Sequence, residues 1–120
     1  MNSILEYVSP PPVDPTVESI LADHVKRFEQ AKHKYLCMIA APTRDYVKMY
    51  DQATSAAICC QQVVHWHICA YQYEKALEFT CQLEYFLKQA LIARAAAIRL
   101  SPGVEQGAAT NTNVTGPSTL

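Results

Sequence analysis

From Thr16 to Ser101 the chain contains no glycine and no asparagine, and Pro42 is its only proline. That absence excludes the turn-rich organisation of small β-sandwiches and barrels, which need backbone breakers every 8–12 residues or so. Ala, Leu, Gln, Lys and Glu are frequent in the same stretch, and these residues favour helix. All three glycines (Gly103, Gly107, Gly116) fall after it, and four of the seven prolines fall at Pro10, Pro11, Pro12 and Pro15.

Charge of one sign is also lacking. Ten basic and eleven acidic residues give a formal net charge of −1. The broad positive field behind sequence-independent nucleic-acid binding or polybasic membrane attachment is therefore absent. No stretch of the ~18 residues that span a bilayer is apolar enough to do so: the longest run without Asp, Glu, Lys or Arg, 52–73, is broken by glutamines and histidines. Glu6 interrupts an N-terminal apolar stretch too short for a signal peptide, and no basic residue precedes it. The five cysteines, Cys37, Cys59, Cys60, Cys69 and Cys81, are odd in number, and two are adjacent. That argues for reduced thiols in an intracellular compartment, cytoplasmic or nuclear, over a disulfide framework. Asn113-Val114-Thr115 matches a glycosylation acceptor, which has no role in such a compartment.

The expected organisation has three parts. Residues 1–14 read as a disordered Pro-rich segment, 15–100 as one helical bundle domain, and 101–120 as a disordered tail. Pro10 to Pro12 read as a stiff spacer. The fold class is all-α, a small antiparallel three-helix bundle or a helical hairpin with one long helix. A core of this size is marginally stable alone, so self-association fits the energetics.

The first helix is expected to start at Asp14-Pro15. Asp is a preferred cap, and proline at the first helical position gives up an N–H that would be unpaired anyway. Val17, Ile20, Leu21, His24, Val25, Phe28, Ala31, Tyr35, Leu36 and Ile39 recur at steps of three and four. Pro42 should end it. Thr43 is the expected cap of the next helix. From there the pattern runs to Leu100, and a single rod of that length, about 87 Å, would need a companion along most of it. A break at Tyr71-Gln72-Tyr73 gives three helices of similar length instead. Ile58 to Tyr73 is rich in β-branched and aromatic residues, yet it lacks framing turns and reads as buried helix.

After the break, Ala76, Phe79, Leu83, Phe86, Ala90, Ala93 and Ala97 form a seam, and Leu77, Leu87, Leu91 and Ile98 widen it. A stripe of that width indicates bundle packing or an additional partner. The candidate partner-binding residues are Tyr73, Leu77, Phe79, Leu83, Phe86, Leu87 and Leu91, together with the carboxyl-terminal Leu120. Ser118-Thr119-Leu120 fits the Ser/Thr-x-hydrophobic end that PDZ domains capture by strand addition. Glu84 and Lys88, four apart, are expected to pair on the outer face.

Two His–Cys pairs, His33/Cys37 and His65/Cys69, each have the i,i+4 spacing of half a tetrahedral zinc site. The helical wheel turns His33 and Cys37 away from the first helix's apolar face, so an intramolecular site is not expected. His65-Trp66-His67 lacks a local carboxylate, and its rings read as amphipathic packing at a helix junction. Asp45 and Asp51 do not share a face, and no phosphate loop, dinucleotide fingerprint or zinc-protease motif occurs. The expectation is no catalytic residue, no cofactor, no metal and no enzyme. Six of the seven tyrosines lie in the helical region, where core or interface is their usual place.

Tyr73-Glu74-Lys75-Ala76-Leu77, with Leu83, Tyr85-Phe86-Leu87 and Ala90, resembles one helix of tetratricopeptide and microtubule-interacting-and-trafficking modules. The likeness spans about twenty residues. It lacks the families' glycine turn, and no 34-residue repeat accompanies it. What it implies is a helical adaptor that binds peptide segments.

The leading expectation is therefore a non-enzymatic interaction or assembly module acting through apolar, Tyr-rich helix faces on another helix or a second copy. The alternative is a nucleic-acid-binding accessory protein using Lys26, Arg27, Lys32, Lys34 and Arg44.

Overall fold

Asp14 begins the first helix as its chemistry requires: its Oδ1 accepts the Thr16 N–H at 2.8 Å, and Pro15 occupies the first helical position. The resulting helix, α1, spans Pro15–Ala40 and stops before Pro42, where the Ala41 N–H turns back to the Met38 carbonyl. The computed structural model describes residues 12–100; the expected Pro-rich and tail segments lie almost wholly outside them, as does Leu120.

The second helix, α2, spans Tyr46–Cys69. Its cap is Asp45 and not Thr43, a correction of two residues. The Asp45 carboxylate accepts the Lys48 N–H at 3.1 Å, and its carbonyl accepts the Met49 N–H at 2.9 Å. Beginning there directs Met49, Ala53, Ala56, Ala57, Cys60 and Val63 inward. The third helix, α3, spans Tyr73–Arg99. The single-rod alternative is excluded, because α2 and α3 are separate helices joined by a tight turn.

The turn has an unusual composition. The Gln72 N–H bonds the His67 carbonyl at 2.8 Å and the Tyr71 N–H bonds the Ile68 carbonyl at 3.0 Å. This pair of bonds is the Schellman arrangement, which places one residue in the left-handed region. Glycine normally fills that position, but here it is Tyr71, at φ 60°. A side-chain bond reinforces the reversal: His67 Nδ1 and Gln72 Oε1 lie 2.8 Å apart.

The contacts make neighbouring helices antiparallel. Gln52 Nε2 donates to the Ala31 carbonyl between α1 and α2, and His24 stacks on Trp66 at the other end. Between α2 and α3, Cys60 meets Phe79 and Tyr50 meets Arg94. Small residues let α2 approach both other helices, since Ala53, Ala56 and Cys60 are fully buried. By contrast, no Cα of α1 comes within 8 Å of one in α3. Aromatic rings fill that gap: Phe28 meets Phe79 and Phe86 edge-on at 5.8 Å, and Tyr35 meets Phe86 at 5.7 Å. These are the offset geometries that ring quadrupoles favour. Tyr35 is buried, and its hydroxyl donates to Gln89 Oε1 at 3.1 Å; burial foremost, then Tyr85, pushes its phenol above the usual value.

Candidate partner-binding face

Helix α3 is apolar around much more of its girth than two neighbours can cover. Its inner half carries Ala76, Phe79, Leu83, Phe86, Ala90 and Ala93, all in or packed against the core. Tyr73, Leu77, Leu87, Leu91 and Ile98 are exposed. At 100° per residue these five fall within about 80° of one another, in a stripe centred roughly 100° round from the inner seam. Leu77 is 69% exposed and Leu91 68%, values usual for lysine and not for leucine. Clustered apolar exposure of this kind marks interaction surfaces, unlike a lone exposed leucine.

The seven expected partner-binding residues of this helix thus divide. Tyr73, Leu77, Leu87 and Leu91 share the open stripe. Phe86, 2% exposed, is removed from the candidate face, because its ring fills the space between α1 and α3. Phe79 and Leu83 are half-buried and pack against the core. Ile98, named at first only as widening the seam, belongs to the open stripe. The signal that separates the two sets is which flank of α3 its neighbours occupy, and periodicity alone does not carry it.

Charged groups stand beside the stripe, Lys88 and Arg99 on one edge and Arg94 on the other. Arg94 places its guanidinium over the Tyr50 ring, 5.3 Å from the centroid. Glu84 lies on the stripe between Leu77 and Leu91. The expected Glu84–Lys88 pair is not formed; among the described residues the ion pair present is Arg27–Asp23, at 2.8 Å. Glu84 therefore stands on an apolar surface with no cation paired to it among the described residues.

The other candidate groups do not converge. His33 Nε2 and Cys37 Sγ lie 3.6 Å apart on α1, and His65 Nε2 and Cys69 Sγ 3.7 Å apart on α2. Both cysteines are exposed. Each separation is close to the ~3.6 Å between a sulfur and a nitrogen bound to one tetrahedral zinc ion. Each pair nevertheless supplies two ligands of the four, and among the described residues no three His, Cys, Asp or Glu groups gather for a metal. His67, at the α2–α3 turn, is buried and stacked on Phe79 at 5.2 Å; its Nε2 has no hydrogen-bond partner. Cys60 donates its thiol proton to the Phe79 carbonyl at 3.1 Å, and burial, with Cys59 adding to it, pushes the thiol up to about 11. Such a thiol is a structural donor and a poor nucleophile. A dent of about 100 Å³ between Met38, Thr43 and Met49 is well below the ~300–1,000 Å³ of small-molecule pockets.

Two of the five residues of the expected basic patch are already engaged. Arg27 is paired with Asp23, and Lys32 donates to Gln82 Oε1 at 3.1 Å while lying 6.0 Å from the Phe28 ring centroid. Among the described residues no helix is long and apolar enough to cross a membrane.

Comparison with known proteins finds no family whose pattern matches this chain, and no curated protein or solved structure that matches it. The functional reading therefore rests on the chain's own surface.

Proposed function

We propose that the protein is a non-enzymatic helical interaction module, and that the outer stripe of α3 is its binding face. One observation carries the reading: Tyr73, Leu77, Leu87, Leu91 and Ile98 line up on one side of a helix whose core seam is already satisfied. Burying a leucine fully is worth about 1.5–3 kcal/mol, so the stripe holds enough apolar surface to anchor a facing helix. A helix laid along it would use anchors at the i, i+3/i+4 and i+7 spacing of helix-in-groove recognition. The reading places the protein among adaptors or assembly factors and assigns it no catalytic step.

The test places a photo-crosslinking amino acid at Leu91 or Ile98, with Gln30 on exposed α1 as control, in cells producing the protein. Protein adducts are expected from the α3 positions and not from Gln30. They should disappear when Leu87→Glu is added to either α3 probe, with thermal unfolding of the bundle unchanged. Adduct yields from α3 no greater than from Gln30 would overturn the proposal.

A further inference from the structure

The outer stripe of α3 is self-complementary when a second copy lies across it in the opposite direction, and we infer that the protein forms a two-fold antiparallel α3–α3 dimer. The inference rests on the binding face proposed above and names its occupant.

Tyr73, Leu77, Thr80, Glu84, Leu87, Leu91, Arg94 and Ile98 alternate steps of four and three, the register of a two-helix seam. The seam is not uniformly apolar: it carries one acid, Glu84, and one base, Arg94. A parallel pairing in register sets each seam residue opposite its own copy. Glu84 would then face the partner's Glu84 and Arg94 the partner's Arg94, and like charges held together in a desolvated seam oppose association strongly.

Reversing one copy about an axis beside Gln89 removes both clashes. Glu84 then lies opposite the partner's Arg94, and by symmetry Arg94 opposite the partner's Glu84. Leu87 lies opposite the partner's Leu91 on both sides of the axis, and Ile98 opposite the partner's Thr80. Every layer pairs one set of the 3–4 alternation with the other, as antiparallel seams do. A two-fold contact must be self-complementary in this way, with residue i meeting j and j meeting i.

Two structural details favour this register. The Tyr50 ring beneath Arg94 holds the guanidinium at the stripe's edge, where an incoming carboxylate can reach it. Among the described residues Glu84 has no ion-pair partner. The two Lys88 side chains meet on the flank near the axis, where water and salt screen them. Tyr73 and Leu77 lie beyond the overlap.

Sedimentation equilibrium of the purified full chain, with charge exchange, decides the matter. The wild type is expected to dimerise reversibly in the micromolar range. Glu84→Arg and Arg94→Glu are each expected to weaken the dimer at least tenfold, and the double exchange to restore it to within about threefold of wild type. Leu91→Lys is expected to abolish it while leaving the thermal midpoint within a few degrees. A wild type that stays monomeric at a few hundred micromolar would overturn the inference. So would a dimer that the double exchange fails to restore, which would indicate parallel pairing or another register. A monomer that still gives α3-specific crosslinks to a different protein would sink the second-copy inference alone and leave the binding face standing.

Discussion

The turn between α2 and α3 makes a prediction that separates backbone from side chain. Tyr71 sits at φ 60°, where an L-residue's Cβ crowds the following carbonyl and costs roughly 1–2 kcal/mol. Glycine avoids that crowding but gives the unfolded chain about 0.4–1 kcal/mol of extra freedom to lose. Replacing tyrosine also removes whatever its half-exposed ring contributes, a loss common to every small substitute. Comparing Tyr71→Gly with Tyr71→Ala cancels that loss and leaves the backbone difference, which should favour glycine by about 0.5–1 kcal/mol. In a domain of this size that corresponds to roughly 3–6 °C in thermal midpoint.

The same pair of substitutions at Ser55, exposed within α2, should give the opposite sign. There alanine is favoured by up to about 1 kcal/mol, because glycine is penalised inside a helix. Urea unfolding followed by far-ultraviolet circular dichroism, with equal denaturant slopes for all four variants, is the assay. An alanine variant at position 71 as stable as the glycine variant would refute the left-handed turn and the Schellman closure with it.

Gln72→Ala should destabilise by about 1–3 kcal/mol, because it removes the group 2.8 Å from His67 Nδ1 and leaves a buried ring with neither nitrogen bonded. In a His67→Leu background the same change should fall to a few tenths of a kcal/mol in urea titrations, the coupling of a double-mutant cycle. The Cys60 thiol, ordinarily near 9.0 and here raised to about 11, makes stability pH-dependent: the folded chain keeps a proton that the unfolded chain releases first. Stability from this group is therefore complete below pH 9 and declines towards pH 11, by at most about 2–3 kcal/mol. Chemical denaturation across that window should show the decline in wild type reduced in Cys60→Ala; equal slopes for the two would contradict it.

Local chemistry wrote some boundaries plainly into the sequence. Asp14-Pro15 is a cap followed by a residue pre-set for helix, and Pro42 obstructs the helical conformation just before it; both act within a residue or two, so α1 was legible. The start of α2 was not. Thr43 and Asp45 are both competent caps, and the choice between them depends on which register turns Met49, Ala53 and Cys60 towards the core. Length, and not composition, points to the turn at Tyr71, because its left-handed residue is not glycine. Its other stabilising element, His67 with Gln72, is recognisable only once the end of the helix is known.

The candidate face shows the same division between pattern and placement. The 3–4 alternation revealed that α3 is apolar over a wide arc, but Phe86 and Leu87 are adjacent in sequence and reside in different surroundings. What separates them is the geometry of the other two helices. The alanines of α2 bring it close to α3, whereas the rings of Phe28 and Tyr35 hold α1 away from the α3 backbone and draw Phe86 inward. With its two neighbours on one flank, α3 must leave the rest of its girth open, and a sequence selected only to close this core could have placed charges there. Leu87, Leu91 and Ile98 are surplus to the core, so changing them to charged residues should alter association while sparing the fold, whereas Phe86→Ala should collapse both.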